Sequence, residues 1–308
     1  MQSNKVLFVN HSEQACGVQQ YGRRVFNVFK QSQEYTSVYC EPKSEQDLQH
    51  EIDTHNPVTI IYNYLGETMP WLSHSFLRNV KIPQGLIVHN IGYLPLFDYY
   101  LHQNPSYTQN GCNYPLLRPL FNYKPEPRPN KVVKIGTFGF GFKVKGYEKI
   151  CELVNHQFSH AEIHMHLTLS HFRPNVEELQ EVHELCRSKI TKPNISVKFT
   201  SDFKDDKGLL DFLAGNDLNV FLYQNYNHYN GISSVIDYAL SAKRPVAVCK
   251  SNMFAHINGA SPSICAEESH LSTIIQNGTK PIDHFIEEWS PEKFTENLNK
   301  IIKKEITI

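Results

Sequence analysis

The sequence predicts an α/β protein of two doubly wound, parallel-sheet domains facing a central cleft. Three observations carry this. Short apolar runs alternate with amphipathic segments, a proline-dense stretch interrupts them, and the alternation then restarts. At 308 residues the chain is long enough for two ordinary domains, since single cores stop growing near this length.

The alternation begins with Lys5–Val9 as a strand and an amphipathic helix from Val18 to Lys30, which buries Val18, Tyr21, Val25, Phe26 and Phe29. Tyr35–Tyr39, Val58–Tyr62 and Gly85–His89 read as further strands. Ser44 N-caps a helix running to His55, with Asp47 complementing its dipole. Such βαβ units direct ligands to the carboxyl ends of their strands. Pro115, Pro119, Pro125, Pro127 and Pro129 then read as a stiff connection. Beyond it, Val132–Ile135, Ile163–Leu169, Ile195–Phe199, Leu218–Tyr223 and Pro245–Cys249 are strands. Tyr147–Phe158, Lys207–Ala214, Gly231–Ala242 and Pro291–Lys303 are helices. The domains are therefore set at 1–124 and 125–288, each Rossmann-like, with a terminal helix in 289–308 expected to pack back on the first.

Composition narrows the function. Hydrophobic residues at 40% and charged ones at 20% fit a soluble globular protein, and a net charge of −1 argues against a nucleic-acid binder. Seven cysteines, never spaced CxxC, read as reduced thiols. The first residues offer no apolar stretch for a signal or a span, so a cytoplasmic location is expected, with a peripheral membrane contact left open.

Four stretches carry chemistry. NGISSVIDYALSAKRPVAV (230–248) buries Ile232, Val235, Ile236, Ala239 and Leu240 and turns Ser233, Ser234, Asp237, Tyr238 and Ser241 to the other face. Its start, with Gly231 and two serines, is either a plain cap or an anion cradle. IGTFGFGFKVKGYEK (135–149) sets Gly136, Gly139, Gly141 and Gly146 beside Lys143 and Lys145, a glycine turn able to wrap an anion, without Walker or GxGxxG spacing. HSEQACGVQQYGRR (11–24) carries His11 and Glu13 ahead of Gly17 at a helix start. IVHNIG (87–92) ends a strand on His89 and Asn90, and Asp98 follows in an aromatic segment that reads mainly as core. Four histidines in HAEIHMHLTLSH (160–171) lack the carboxylate or cysteine cluster that a metal site needs. No metal is expected.

Together these stretches resemble the glycosyltransferases of the GT-B fold, particularly the retaining, family 4-like group related to glycogen and sucrose synthases and bacterial mannosyltransferases. The resemblance rests on Ile135-Gly136 through Lys145-Gly146, on Leu218–Tyr223, and on Gly231, Ser233, Ser234, Asp237, Ala239, Leu240, Pro245 and Val246. Cys16-Gly17-Val18 and His89 resemble the family's first-domain glycine loop and strand-end histidine. Thr137 stands where the family has arginine, and 227–230 hold no glutamate where one is usual.

The resemblance implies a metal-independent, hexosyltransferase-type enzyme. It would move a sugar from a UDP- or GDP-linked donor, a co-substrate rather than a cofactor, to a hydroxyl of a saccharide, lipid-linked or protein acceptor, as in surface polysaccharide or glycoconjugate synthesis. Gly17, Gly136, Gly139, Lys143, Lys145, Gly231, Ser233 and Ser234 would hold the diphosphate, and Asp237 the ribose. His89 would sit beside the transferred sugar. A retaining reaction needs no protein base; an inverting one would draw it from His11, Glu13 or Asp98. The alternative is a non-catalytic nucleotide- or sugar-binding partner protein on the same fold.

Overall fold

The computed structural model describes residues 4–14, 16–89, 95–127, 132–171, 173–224 and 231–306. The chain forms two compact units, Met1–Pro119 with Trp289–Ile308, and Leu120–Glu288.

In the first unit, β1 (Lys5–Val9), α1 (Gly17–Phe29), β2 (Thr36–Cys40), α2 (Glu45–His55), β3 (Thr59–Tyr62), α3 (His74–Asn79), β4 (Gln84–Val88), β5 (Tyr99–His102) and β6 (Asn113–Pro115) follow in order. The strands form one parallel sheet, β2-β1-β3-β4-β5-β6. Period-two alternation sorts its side chains. Val6, Phe8, Ile61 and Ile87 pack on one face with Tyr21, Val25 and Phe29 of α1. Leu7, Val9, Ile60 and Leu86 pack on the other with Leu48 and Ile52 of α2 and Leu77 of α3. Ser44 caps α2 by accepting from the Asp47 N–H at 3.1 Å, as its sequence requires.

The second unit continues with β7 (Lys134–Phe140), α4 (Tyr147–Gln157), β8 (Ala161–Thr168), α5 (Val176–Ser188), β9 (Ile195–Thr200), α6 (Asp206–Ala214), β10 (Leu218–Phe221), α7 (Val235–Ser241), β11 (Val246–Val248), α8 (Leu271–Asn277) and α9 (Asp283–Glu288). Its parallel sheet runs β11-β10-β7-β8-β9. The acidic run before α6 is a capped start: Asp205 accepts from the Gly208 N–H at 2.7 Å. The last helix, α10 (Pro291–Ile306), returns to the first unit, where Phe294, Leu298, Ile301 and Ile302 complete the core over α1. Each contributes about 1.5–3 kcal/mol by leaving water.

Three expectations change. The glycine stretch at 135–140 is strand, because β7 runs on to Phe140 through the β-formers Thr137 and Phe138. The helix expected over 231–242 is Val235–Ser241, and Gly231–Ser234 is loop. The proline-rich segment is no free spacer at its start: Leu116 and Arg118 are buried in the first unit and Leu120 in the second, where Ser241 Oγ accepts the Phe121 N–H.

Candidate active site

In the second sheet the chain leaves β7 outward through β8 and β9, then crosses to β10 and β11 on the other side. The reversal between β7 and β10 is where doubly wound sheets take ligands. A turn closes over it. Gly139 has φ +148° and Gly146 φ +64°, and a Cβ at Gly146 would stand 2.1 Å from the Leu222 carbonyl oxygen. Only glycine lets the turn approach β10 this closely. The Gln224 N–H then donates to the Val144 carbonyl at 2.9 Å.

This contact sets Lys145 over Tyr223. Its Nζ lies 3.7 Å from the ring centroid, on the electron-rich face that attracts a cation. Burial pulls the amine down to about 8, and among the described residues no carboxylate pairs with it. Burial raises the Tyr223 phenol, a shift that neighbouring Ser233 opposes. Ser233 is fixed by its N–H to the Met253 carbonyl at 3.0 Å. Ser234 stands at the N-cap of α7 with its hydroxyl unspent on that helix. Gly139, Lys145 and Ser233 therefore meet at this strand end, with Gly231 and Ser234 in the loop that carries Ser233.

Three assigned residues do not join them. Gly136 lies inside β7, where a Cβ would strike the Asn216 side chain at 1.8 Å; its glycine serves close packing. Lys143 is turned to α5, its Nζ 2.5 Å from Glu181 and half exposed, and that carboxylate raises its amine. Asp237 is fully buried, so it lacks the open carboxylate that a ribose contact needs. Tyr238 and Ser241 are buried as well, bonding Asp206 and the Asp237 carbonyl. The polar face expected of this helix is enclosed, while Ile232 and Val235 of the expected buried stripe are only half-buried.

The first sheet reverses between β1 and β3, and its carboxyl end is built differently. The first residue after each of five adjacent strands is polar: Glu41, Asn10, Asn63, His89 and Gln103. They are hydrogen-bonded in sheet order. Gln103 Nε2 meets His89 Nδ1 at 2.6 Å, and His89 Nε2 meets Asn63 Oδ1 at 2.5 Å. Asn63 donates to Asn10 at 2.8 Å, Asn10 to the Tyr39 hydroxyl at 3.1 Å, and Tyr39 to Glu41 at 2.7 Å. Gly22 in α1 makes room, since a Cβ there would lie 2.3 Å from the Asn63 amide. Burial, then the nearby Arg118 and His11, lowers the His89 imidazole to about 3. Arg118, fully buried, donates to the Gln103 carbonyl at 2.8 Å.

His11 is buried beside this chain and its Nδ1 accepts the Glu13 N–H at 3.3 Å. Gly17 opens α1 with open space where a side chain would stand. Asp98 is not among them. It accepts the Gln84 N–H at 2.7 Å, at the amino end of β4. That is five residues from His89 along the strand, about 16 Å, which removes it as a base for chemistry at the carboxyl ends. Asn90 lies outside the described residues, as do the positions 227–230.

No protein-family profile matches the chain, and no curated protein does. Solved structures do. Anabaena HepE in complex with UDP and glucose has a TM-score of 0.68 at 13% identity, covering 97% of this chain and 99% of that one. AviGT4, a glycosyltransferase involved in avilamycin A biosynthesis, gives 0.64 at 8% identity over 98% of both chains. Sucrose-phosphate synthase from Thermosynechococcus elongatus gives 0.59 at 9% identity, covering 98% and 95%. The chain has the GT-B fold. A GT-B sheet reverses once in each unit, and both reversals coincide with the residue clusters above. Among the described residues no helix is long and apolar enough to cross a membrane.

Asn10, Asn63, Gln103 and Arg118 escaped the sequence reading, as did the pairing of Lys145 with Tyr223. The signal was present: a polar residue directly follows each of the strands at 5–9, 36–40, 59–62, 84–88 and 99–102. Sequence pattern offers no comparable signal for a lysine stacked on a tyrosine from a different strand.

Proposed function

We propose that the chain is a nucleotide-sugar glycosyltransferase whose second unit holds the donor's diphosphate at the reversal between β7 and β10. The observation that carries this reading is Lys145: a desolvated ammonium on the Tyr223 ring, with no carboxylate beside it among the described residues. A diphosphate supplies the missing counter-charge. The backbone of the Gly139–Gly146 turn and the Ser233 and Ser234 hydroxyls complete the polar lining. The HepE complexes with UDP and with UDP-glucose support a UDP-linked hexose as donor; a GDP-linked one is the competing choice.

In the reaction the acceptor oxygen bonds the anomeric carbon and the carbon–oxygen bond to the diphosphate breaks. Negative charge grows on the leaving phosphate, where Lys145 stabilises it without a metal. In the retaining course that the resemblance implies, the acceptor proton passes to the leaving phosphate oxygen. In an inverting course His11 or Glu13 would take it. The acceptor is a hydroxyl of a saccharide, lipid-linked glycan or protein, in polysaccharide or glycoconjugate synthesis, and free thiols throughout support a cytoplasmic setting.

A thermal-shift panel of UDP, GDP, ADP and their sugars tests donor binding, because a ligand at a hundred times its Kd adds about 2.7 kcal/mol. No shift with any of them ends the proposal. NMR of the anomeric product decides stereochemistry, and an inverted product overturns retention. The second reading, a non-catalytic nucleotide- or sugar-binding protein, is favoured by Thr137, which is buried in β7 at the position where the resemblance calls for an arginine. Donor binding with neither transfer nor slow hydrolysis would establish it.

A further inference from the structure

The hydrogen-bond chain across the first sheet has a direction, and the direction fixes a proton. Backbone carbonyls can only accept. The Val88 carbonyl takes a bond from Gln103 Nε2 at 3.1 Å, so the Gln103 amide presents its nitrogen, and with it a hydrogen, to His89 Nδ1. At the other ring nitrogen the Val18 carbonyl takes a bond from Asn63 Nδ2 at 2.7 Å. The Asn63 amide therefore turns its oxygen to His89 Nε2. Nδ1 must accept and Nε2 must donate.

The arrangement is braced beyond its two immediate partners. Both hydrogens of Asn63 Nδ2 are spent, on Val18 and on Asn10 Oδ1. Both of Asn10 Nδ2 are spent, on the Gln19 carbonyl and the Tyr39 hydroxyl, while its Oδ1 also accepts the His11 N–H at 2.9 Å. Flipping either amide would turn an oxygen onto a carbonyl oxygen and leave a buried donor unmet. Tyr21 closes on the imidazole edge-to-face, 5.8 Å between centroids.

We propose that Gln103 and Asn63 are positioning residues that lock His89 as the neutral, Nε2-protonated imidazole, with both ring nitrogens engaged inside the first unit. His89 is then a fixed piece of the strand-end floor and takes no part in proton transfer. The sequence reading places His89 beside the transferred sugar, and the lock would hold a neutral imidazole at that place. The groups facing the ring agree: Arg118, His11 and Tyr21 lie around it, and among the described residues no carboxylate contributes to its electrostatics. A second proton on Nδ1 would meet the Gln103 N–H and the Arg118 charge. The inference does not depend on the transferase reading, because it concerns the protein without any donor.

Long-range ¹H–¹⁵N NMR on the labelled full chain tests it, with His89→Gln assigning the ring signals. The expected result is a protonated Nε2 and a bare Nδ1, unchanged between about pH 5 and 8, the range in which histidine ordinarily titrates. A protonated Nδ1, or a ring that titrates in that range, overturns the proposal without any engineered change to the site. Gln103→Met then tests the clamp. It removes the donor without adding charge, and the Nδ1 resonance is expected to move toward that of an unbonded imidazole nitrogen. An unmoved Nδ1 signal in a folded Gln103→Met protein would remove Gln103 from the role.

Discussion

At the carboxyl end of the first sheet, the amide hydrogens of Asn10, Asn63 and Gln103 are donated within the unit. At the matching end of the second sheet, Lys145 rests on Tyr223 with no carboxylate partner among the described residues, and Ser234 leaves its helix uncapped by its side chain. Each end is the reversal point of a parallel sheet, yet one is satisfied internally and the other is not. Internal satisfaction produces rigidity, since buried polar groups are costly to release. Unspent groups cost stability in the free protein and return it only when something binds. The first end reads as scaffold and the second as receiver.

The largest effect is expected from breaking the receiving turn. Gly146→Val introduces both a strained φ and a collision with the Leu222 carbonyl, and should cost about 3 kcal/mol or more. Chemical denaturation measures this. Next, Asn63→Leu strips the scaffold of two donors and one acceptor, leaving His89, Asn10 and Val18 unsatisfied. A loss of about 2–4 kcal/mol is expected, with donor binding affected less than stability. An unchanged denaturation midpoint would remove the distinction drawn between the two ends.

Lys145→Ala should do the opposite: little or no loss of stability, and at least a tenfold loss of donor affinity, about 1.4 kcal/mol. The sign follows from its environment. The folded amine, at about 8, lies below its ordinary 10.5. The unfolded chain therefore holds more protons between those values, and stability rises with pH across that window. Diphosphate binding should weaken as pH climbs through about 8, because binding needs the cation. His89 gives a second window of the same sign at lower pH. Its imidazole is lowered to about 3 from 6.5, so the stability it confers is full above 6.5 and is lost as pH falls toward 3. Thermal unfolding at a series of pH values separates the two. The smallest effect belongs to Lys143→Ala. It breaks only an exposed pair with Glu181, and should leave the denaturation midpoint and the ligand-induced shift intact.

How much of this could be read in advance differs by element. Strands β1–β4 and β7–β11 and helices α1, α2, α4 and α6 were legible because periodicity and caps are local, whereas β5 and β6, in the aromatic and proline-rich stretches, were not. So was the glycine turn, since Gly146 announces a backbone that other residues avoid. What stayed hidden depended on tertiary placement. Gly136 and Gly146 look equivalent in sequence, yet one packs on Asn216 and the other bends toward Leu222. Lys143 and Lys145 are two residues apart, and the 3-10 turn at Lys143–Lys145 sends them to different neighbours. Asp237 looked polar-faced on a helical wheel, but the helix is covered on that side too. His89 was noticed for its chemistry, while Gln103 and Asn63, which decide that chemistry, sit far from it in sequence.

The return of α10 to the first unit also dictates an order of events during synthesis. The β1–β6 sheet leaves the ribosome first, but Phe294, Leu298, Ile301 and Ile302 cover one of its faces and arrive last. At about 5–20 residues per second, making the intervening second unit takes on the order of ten to thirty seconds. Throughout that interval the first unit lacks the apolar cover that these four side chains give α1. The unit begun first is the unit finished last.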